Sequence, residues 1–490
     1  MRAALRRIPP AGRACALVAV ANALAWSLLV PPFQVPDENA HFAYVQHLAE
    51  TGAPPRAGDR PGASTELFRT EIALKEFDVT TRPENRPIWS RLEQDALERV
   101  LASDLPRDDG GGWSNATNNP PLYHLLGAVA YRAGSGGDLL DRLALVRLLS
   151  VLLAGATVLC VFGFLRELLP GTPWAWSAGA LAAAFQPLFG FMSAGVNNDA
   201  LLFAAAAATL FAVARCFRRG LTPRRAAAVG AAFGLGLVAK ATLLAFAPAL
   251  ALAAVVLVRR VPRGERGRAA RAVALAAGVA AVPVALYVAV NALAWDRPLW
   301  AGAAQFSAGT SDEIAPDASL REQLSYLWQW YLPRLPFMED QFAGGYYPLW
   351  ENSFKGFVGR FGWLDYGFEA WVYELALAVV CVVLALAGAE LWRRRAALRR
   401  RAGELAVYAL AAAGLAIVIG VAGYGARKQG SGFEQARYYL PLLPLYGAIV
   451  ALAARGAGRR LGPAAGAAIV VAAIAHGVFA QLITIARYYG

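Results

Sequence analysis

The sequence predicts an all-α polytopic membrane protein, a bundle of about eleven transmembrane helices with two large extracytoplasmic loops. Of the 490 residues, 57% are hydrophobic and only 17% are charged. The apolar residues gather into runs of about 17–25 residues, the length that crosses a ~30 Å hydrocarbon core as a helix. The basic residues concentrate in short segments between these runs, as is typical of cytoplasmic loops.

The predicted spans follow from these runs when successive helices alternate across the membrane. The first run, with its basic start, has the pattern of a secretory signal, but no small-residue cleavage motif follows it, so we assign it as a helix. The N-terminus is then cytoplasmic and the C-terminus is outside. The eleven predicted spans are 13–31, 143–165, 174–193, 199–217, 225–239, 242–258, 270–294, 371–392, 404–424, 438–454 and 463–485.

The distribution of charge sets the predicted orientation. The net charge of +13 would suggest a nucleic-acid partner in a soluble chain, but 25 of the 47 Lys and Arg residues lie in the N-terminus and five short loops. By the positive-inside rule these segments are cytoplasmic, and no nucleic-acid partner is predicted. Loops 32–141 and 295–370 carry 27 Asp and Glu against 15 Lys and Arg, so both are predicted to lie outside the inner (plasma) membrane.

Three regions result from this division. Residues 1–294 form a transmembrane module that includes the first loop, residues 295–370 form the second loop, and residues 371–490 form the C-terminal helices. The apolar stretch 120–133 is too short to cross the membrane and is predicted to be an interfacial helix. Spans five and six are short and meet at 240–242, which indicates a hairpin that turns just below the outer surface.

The first loop opens with the segment 31–42, whose sequence is PPFQVPDENAHF. It places two adjacent carboxylates, Asp37 and Glu38, where the first span emerges on the outer face. A carboxylate at this point fits a general base. It fits equally well the N-cap of the following helix or a solvated boundary residue.

A second polar group, Asn197-Asn198-Asp199, lies on the same predicted face between spans three and four. Asp199 is a candidate second carboxylate near the first. The same three residues also make a good turn and helix N-cap, and the sequence alone does not decide between the two interpretations.

Two cations on this face are candidates for binding an anion. Lys240 is the only charged residue in the apolar hairpin 225–258 after its basic start, and an unpaired ammonium at membrane depth is costly, so a partner is implied. A donor phosphate would serve, although snorkelling to the headgroups is the alternative. Arg437 precedes Tyr438 and Tyr439 and could bind phosphate oxygens bidentately, or the group could be ordinary interfacial anchoring.

The order of four motifs resembles that of a known family. The motifs are the segment 31–42 above, Asn119-Pro120-Pro121-Leu122-Tyr123, Phe361-Gly362-Trp363-Leu364-Asp365 and Arg437-Tyr438-Tyr439-Leu440-Pro441. This pattern, which covers nearly the whole chain, resembles the DUF2142 membrane proteins, which are grouped with the GT-C glycosyltransferases. Asn39 departs from the family pattern, in which Pro is frequent at that position.

The resemblance implies a GT-C-like helical bundle that transfers sugar on the extracytoplasmic face. The implied donor is a polyprenyl-phosphate-linked sugar, and the acceptor is a cell-envelope glycan, glycolipid or protein, attacked with inversion. Asp37 matches the position of the general base in such enzymes, and Glu38 and Asp199 are its candidate catalytic partners. Candidate substrate-binding residues are His41, Asn119, Asn198, Lys240, Trp363, Asp365, Arg437 and Tyr438.

No metal or other cofactor is predicted. Glu38 and His41 have a Glu-x-x-His spacing that could start a metal site, but a third ligand is missing. The resemblance leaves a divalent cation open, because some GT-C members use one and others do not. The four cysteines lie in apolar spans and show neither disulfide nor zinc spacing.

Two other classes of protein compete with the transferase hypothesis. A glycolipid or polysaccharide transporter or flippase usually carries polar or broken segments near the bilayer midplane, whereas here the polar residues gather on one face. A non-catalytic subunit of a cell-envelope assembly machine would use the loops for docking and would tolerate replacement of Asp37 and Lys240. Neither a Walker A sequence nor a dinucleotide-binding fingerprint is present in the sequence.

Overall fold

The computed structural model describes residues 9–86, 90–295, 297, 320–343, 347–428 and 434–490, and it is a helical bundle as predicted. The helices of the first part are α1 Pro10–Leu29, α2 Glu38–Thr51, α3 Thr65–Ala73, α4 Glu76–Val79, α5 Arg91–Leu101, α6 Ser114–Thr117, α7 Leu122–Ala133, α8 Leu139–Leu168, α9 Pro173–Ala184, α10 Pro187–Met192, α11 Asp199–Arg219, α12 Pro223–Leu237, α13 Ala247–Arg260 and α14 Arg266–Leu293. Those of the second part are α15 Leu320–Tyr331, α16 Leu349–Gly359, α17 Ala370–Arg393, α18 Arg395–Arg400, α19 Ala402–Lys428, α20 Leu443–Gly456 and α21 Gly458–Tyr489.

Short irregular elements complete the described chain. Three 3₁₀ helices, at Ala241–Phe246, Arg263–Glu265 and Ala436–Leu442, lead into α13, α14 and α20. Two small antiparallel hairpins flank α16 in the second loop: β1 Phe342–Ala343 pairs with β2 Tyr347–Pro348, and β3 Arg360–Phe361 pairs with β4 Tyr366–Gly367. Much of the predicted loop 295–370, namely 296, 298–319 and 344–346, lies outside the described residues.

Nine helical segments in the described ranges are long and apolar enough to cross a membrane. They correspond to nine of the eleven predicted spans. The fifth predicted span is the 15-residue helix α12, which is shorter than a full crossing. The third predicted span, 174–193, is not one helix but two, α9 and α10, with a break between them.

Pro187 explains this break. The residue before a proline is disfavoured in the α conformation, because the proline ring clashes with it, and Gln186 adopts an extended conformation instead. The side chain of Gln186 then accepts a hydrogen bond of 2.6 Å from the backbone N–H of Phe189 and caps the new helix. The hydropathy pattern does not reveal the break, since apolar residues continue through it.

The interior of the bundle is formed by α8, α11 and the 3₁₀–α20 segment, most of whose residues are buried against other helices. By contrast, α14, α17 and α21 expose most of their equally apolar side chains. Such helices would be unstable in water and are matched to lipid, where an apolar surface carries no penalty. The protein is therefore a multi-pass membrane protein with its most buried helices at the centre.

The first loop folds into a helical cap, α2 to α7, and shares a hydrophobic cluster with α8 and the start of α11. The fully buried guanidinium of Arg142 joins this cap to α8 through a 2.6 Å ion pair with Glu66. The predicted interfacial segment forms α7, which packs on α2 and α8. Its opposite face exposes Leu125, Leu126 and Val129, as expected for a helix at a lipid boundary.

The two ends of α8 have different partners. Near its first turns, Arg147 binds Glu38 of the motif 31–42 at 2.6 Å. At its last turn, Glu167 binds Arg219, and the Leu168 carbonyl accepts from Arg401, so the arginine-rich loops meet here. A 30-residue helix is about 45 Å long, so the motif and the basic loops lie at opposite ends of the bundle.

Candidate active site

Asp37 ends the proline-rich segment and precedes the first residue of α2. Its backbone is left-handed (φ +64°), a conformation that Asp and Asn tolerate better than most other residues. Its side chain makes no capping hydrogen bond to α2. Instead, one carboxylate oxygen accepts from the guanidinium of Arg437 and the other from Nδ2 of Asn115 at 2.9 Å.

Asp199 and Lys240 form the second charged pair of the site. Asp199 is the first residue of α11, and its Oδ1 lies 2.6 Å from Nζ of Lys240. Lys240 is extended between α12 and the 3₁₀ helix that begins at Ala241, so the predicted hairpin turn is present at this residue. The break in the helix directs the ammonium group toward α11.

Arg437 connects the two carboxylates. Its Nη2 binds Asp37, its Nη1 donates to the carbonyl of Pro36 at 3.2 Å, and its Nε lies 3.7 Å from Oδ2 of Asp199. The ring of Tyr438 lies against both cations, 5.2 Å from the guanidinium and 5.6 Å from the ammonium of Lys240. Residues from four separate parts of the sequence thus meet in one cluster.

The electrostatics of this cluster are balanced, with two carboxylates and two cations. Burial alone would raise the pKa of Asp37, but the charge and hydrogen bond of Arg437 outweigh it and lower that pKa to about 2. Oδ2 of Asp199 and Nε of Arg437 are buried without a hydrogen-bond partner among the described residues. Asp37 and Lys240 are the more exposed members, with 20% and 12% of their side chains accessible.

His41 lies one helical turn after Asp37 and is buried beside the cluster. Its Nδ1 is 3.0 Å from Nε2 of His124, and the two rings stack. Burial, together with the charges of Lys240 and Arg437, lowers the pKa of His41 to about 4, despite the opposing charges of the two aspartates. The imidazole is therefore neutral at physiological pH.

Asn115 and His124 were not among the site residues predicted from the sequence. His124 directly follows the motif Asn119–Tyr123, and its position there is the only signal that could have suggested it. Asn115 is an exposed residue in the short helix α6, and nothing in its local sequence indicates a contact with a residue 78 positions earlier.

Glu38 points away from the cluster, although it is adjacent to Asp37 in the sequence. Its carboxylate is fully buried and binds the guanidinium of Arg147 through both oxygens, at 2.7 and 2.6 Å. It also accepts from the backbone N–H groups of Phe33 (2.8 Å) and Val196 (3.0 Å). These hydrogen bonds of the Glu38 carboxylate connect the proline-rich segment to α8 and to the turn before α11.

The two asparagines predicted as site residues, Asn119 and Asn198, donate hydrogen bonds to backbone carbonyls beside the charged cluster. Asn119 is buried and donates to the carbonyls of Asn115 and Ala116, which fixes the turn that carries Asn115. Asn198 precedes α11 and donates to the carbonyl of Ala239 at 3.1 Å, next to Lys240. Asn119 therefore holds the backbone of Asn115, which contacts the cluster, and Asn198 holds the backbone of the residue before Lys240.

Trp363 and Asp365 form a separate group with the last turn of α21. Asp365 accepts from the backbone N–H of Trp363 at 2.8 Å and pairs with Arg487 at 3.2 Å. Burial raises the pKa of Asp365, with Arg487 opposing the shift. Arg487 also donates to carbonyls of the first loop at Val79 and Arg82, so this group fastens the two loops to each other.

Glu38 and His41, whose spacing could start a metal site, have different partners: Glu38 binds Arg147 and His41 binds His124. Within the ranges that the structure describes, no three His, Cys, Asp or Glu side chains are grouped so that they could hold a metal ion.

Comparison with known proteins agrees with this architecture. The family described as "Predicted membrane protein (DUF2142)" matches residues 22–446. The chain belongs to the DUF2142 family. The match includes all four members of the charged cluster: Asp37, Asp199, Lys240 and Arg437. A search of curated proteins gave no match.

Three solved structures of one enzyme resemble this DUF2142 protein. The Archaeoglobus fulgidus oligosaccharyltransferase tethered with an acceptor peptide containing the NVT sequon has a TM-score of 0.52 at 13% identity, covering 98% of this chain and 55% of that one. Its apo form has a TM-score of 0.49 at 13% identity, with coverages of 97% and 56%. AglB of the same organism, in complex with an inhibitory peptide and a dolichol-phosphate, has a TM-score of 0.49 at 15% identity, with coverages of 96% and 56%.

The DUF2142 chain thus spans little more than half the length of that oligosaccharyltransferase. At this level of identity the likeness concerns the fold alone, which is similar to that of the Archaeoglobus fulgidus oligosaccharyltransferase. The predicted fold class is confirmed.

Proposed function

We propose that this DUF2142 protein is a membrane glycosyltransferase that moves a sugar from a polyprenyl-phosphate-linked donor to a cell-envelope acceptor on the extracytoplasmic face. The observation that carries the proposal is the convergence of Asp37, Asp199, Lys240 and Arg437 at the end of the bundle opposite the arginine-rich loops. The GT-C fold supports it, since known glycosyltransferases share that fold.

The two cations of the cluster suit the phosphate of the donor. A guanidinium binds phosphate oxygens through two parallel hydrogen bonds, and an ammonium adds a compact positive charge. Arg437 has a buried Nε without a hydrogen bond, and Lys240 is partly accessible, so both have unused capacity for an anion. In the proposal they bind the donor phosphate and stabilise the charge that develops on it as the sugar leaves.

The proposed reaction is a direct displacement. The acceptor hydroxyl oxygen attacks the anomeric carbon, and a new glycosidic bond forms as the bond from that carbon to the phosphate oxygen breaks. The bonding electrons stay on the polyprenyl phosphate, and the hydroxyl proton passes to the carboxylate of Asp37. Attack in line with the leaving group inverts the configuration of the anomeric carbon.

Asp37 is a poor base while it is paired with Arg437, because a pKa of about 2 is far from the operating pH. A donor phosphate that accepts hydrogen bonds from the guanidinium of Arg437 would weaken the pair of Arg437 with Asp37. The pKa of the Asp37 carboxylate would then rise. Donor binding would in this way prepare the base for the acceptor. The hydrogen bond from Asn115 would keep the carboxylate oriented as Arg437 turns to the phosphate.

The remaining candidates have supporting roles in this proposal. Asp199 holds Lys240 in place, and Tyr438 and the neutral His41 line the site. Glu38, Asn119 and Asn198 position the backbone around it and do not contact substrate, which revises the roles expected from the sequence. Asp365 fixes its loop through Arg487, which leaves the indole of Trp363 as the candidate contact for an acceptor or a sugar ring.

The donor class tests the proposal. The purified full-length protein should cleave or transfer sugar from members of a panel of polyprenyl-phosphate sugars, and it should leave nucleotide sugars unchanged. Asp138→Asn is a control for the loss of a carboxylate outside the site. It should keep the activity of the unmodified protein, since Asp138 caps α8 and Asn caps equally well. Turnover of nucleotide sugars, with the lipid-linked donors untouched, would contradict the proposal.

A further inference from the structure

The arginine-rich end of the bundle contains a cleft that the proposed transferase reaction does not use. It lies between α11 and α12, has a volume of about 520 Å³, and is the size of a small-ligand site. Its lining is polar at one end and apolar at the other: Arg215, Thr222, Arg224, Arg225, Phe211, Ala208, Ala212, Ala228 and Ala232. None of these nine lining residues is acidic.

Arg215 is the central residue of the polar end. Its Nε is buried and has no hydrogen-bond partner in the described part of the chain. Its guanidinium lies 5.5 Å from the centre of the Phe211 ring, a contact that gives Nε no hydrogen-bond acceptor. A buried donor without an acceptor costs about 1–3 kcal/mol in general, so an acceptor at this position would be stabilising.

Other arginines at the same end of the bundle do have acidic partners. Arg219 binds Glu167, Arg455 binds Glu390 and Arg401 binds Glu404, each at 3.2 Å or less. Arg215 and Arg224 have no such carboxylate among the described residues. Two arginines without a carboxylate partner in the described ranges therefore line one cleft, and the Nε of one of them is buried.

The start of α12 adds to this positive potential. The cleft includes the first turn of α12, where Thr222 caps the helix and the backbone N–H groups point toward the arginine end. Arg225 itself donates to the Gly220 carbonyl at 2.8 Å and so keeps the turn in shape. Arg215 and Arg224 are the two side chains left to hold an anion.

The apolar end of the cleft runs toward the middle of the bilayer. Ala208 lies seven positions before Arg215 on α11, and Ala232 lies eight positions after Arg224 on α12, so each pair is about 10–12 Å apart along its helix. The alanines keep the groove between the two helices open and carry no polar atom in their side chains. A ligand that fits must have an anionic head and an apolar tail lying along the helices.

We infer that this cleft binds an anionic phospholipid of the surrounding bilayer, with the headgroup phosphate on Arg215 and Arg224 and an acyl chain along the alanine groove. Basic pockets between transmembrane helices on the cytoplasmic side are suited to such headgroups. The apolar end favours a lipid over a free phosphate ion, which would leave the groove empty. The inference does not depend on the proposed transferase activity.

The test uses the full-length protein in a neutral detergent, with phosphatidylglycerol or phosphatidylcholine added. Native mass spectrometry should detect phosphatidylglycerol that stays bound, and the unfolding temperature should rise with phosphatidylglycerol only. In the double variant Arg215→Gln and Arg224→Gln, retention should fall about tenfold and the rise should disappear. The matched control, Arg263→Gln and Arg268→Gln, removes the same charge from exposed positions outside the cleft and should behave like the unmodified protein.

A photoactivatable phosphatidylglycerol gives a second measurement that needs no variant. Crosslinks should map to peptides within 208–232. Equal retention in both double variants, crosslinks only to other helices, or equal stabilisation by phosphatidylcholine would each overturn the inference. So would inorganic phosphate that displaces the bound lipid at millimolar concentration, since the cleft would then be a site for the free ion.

Discussion

Lys240 and Asp199, which are 41 residues apart in the sequence, form a 2.6 Å ion pair in which 12% and 1% of the two side chains are exposed. Removing one partner of a buried pair typically costs about 3–5 kcal/mol, whereas replacing both costs much less. We expect Lys240→Met to lower the thermal stability strongly and to abolish transfer.

The double variant Lys240→Met with Asp199→Asn separates structure from function. We expect it to recover most of the lost stability, because no uncompensated charge remains buried, but to stay inactive, because the donor phosphate loses a cation. Unfolding temperature and turnover with a polyprenyl-phosphate sugar are the two measurements. A double variant that is both stable and active would show that the pair is only structural.

The four charged residues of the site could be selected from the sequence, but their contacts could not. The sequence places a charged residue at the end of an apolar run in each case: Asp37, Asp199, Lys240 and Arg437. The pair Asp37–Arg437 joins residues 400 positions apart, and one sequence contains no information on such a distance. The hydropathy pattern located most spans, but it did not show the break at Gln186, which depends on the following proline.

The different partners of Asp37 and Glu38 also could not be predicted from the sequence. The two carboxylates are adjacent, and a pattern of residue types treats them alike. The left-handed backbone at Asp37 sends its side chain toward Arg437, while Glu38, inside the first turn of α2, faces Arg147. The partners of Glu38 come from α8 and from the turn before α11, which only the folded chain brings near.

Asn115 should contribute to the rate by orienting Asp37. A hydrogen bond to a charged group is worth about 1.5–3 kcal/mol, but this one is partly exposed, so we expect Asn115→Ala to lower kcat by about tenfold with little change in KM for the donor. Asn118→Ala, on the same turn, is the control. If the rates of the two variants are equal, Asn115 does not act on Asp37.

The buried Glu71 should make the stability of the first loop depend on pH. Burial, reinforced by the nearby charge of Glu76, raises the pKa of Glu71 from 4.5 to about 8. The folded protein then holds a proton that the unfolded chain releases, so the stability is full below pH ~4.5 and is lost as the pH rises toward ~8.

We expect the unfolding temperature to fall between pH 5 and 8, roughly the interval set by these two values. Glu71→Gln, which is neutral at every pH, should remove most of this fall, while Glu84→Gln at an exposed position should not. A pH profile that the Glu71 variant leaves unchanged would show that another group is responsible.

The orientation of the protein can be tested at two exposed positions in a variant without its four natural cysteines. Asp59→Cys in the first loop should react with an impermeant maleimide from outside. Arg268→Cys in the basic segment before α14 should react only after the membrane is permeabilised. The reverse pattern would put the charged site on the cytoplasmic face, away from the extracytoplasmic acceptors of the proposal.

The central claim is that Asp37 accepts the proton of the acceptor hydroxyl, and Asp37→Asn tests it most directly. Asn tolerates the left-handed backbone, and its single side-chain oxygen can replace only one of the two carboxylate oxygens that accept from Asn115 and Arg437; it cannot take a proton. The measurement is turnover with a polyprenyl-phosphate sugar, alongside donor binding and unfolding temperature. A positioned base contributes about 10²–10⁴-fold, so the account predicts a loss of that size in variant protein that the unfolding temperature shows to be folded and that still binds the donor. A variant that keeps more than about a tenth of the rate would contradict the account and make Asp199 the leading candidate for the base.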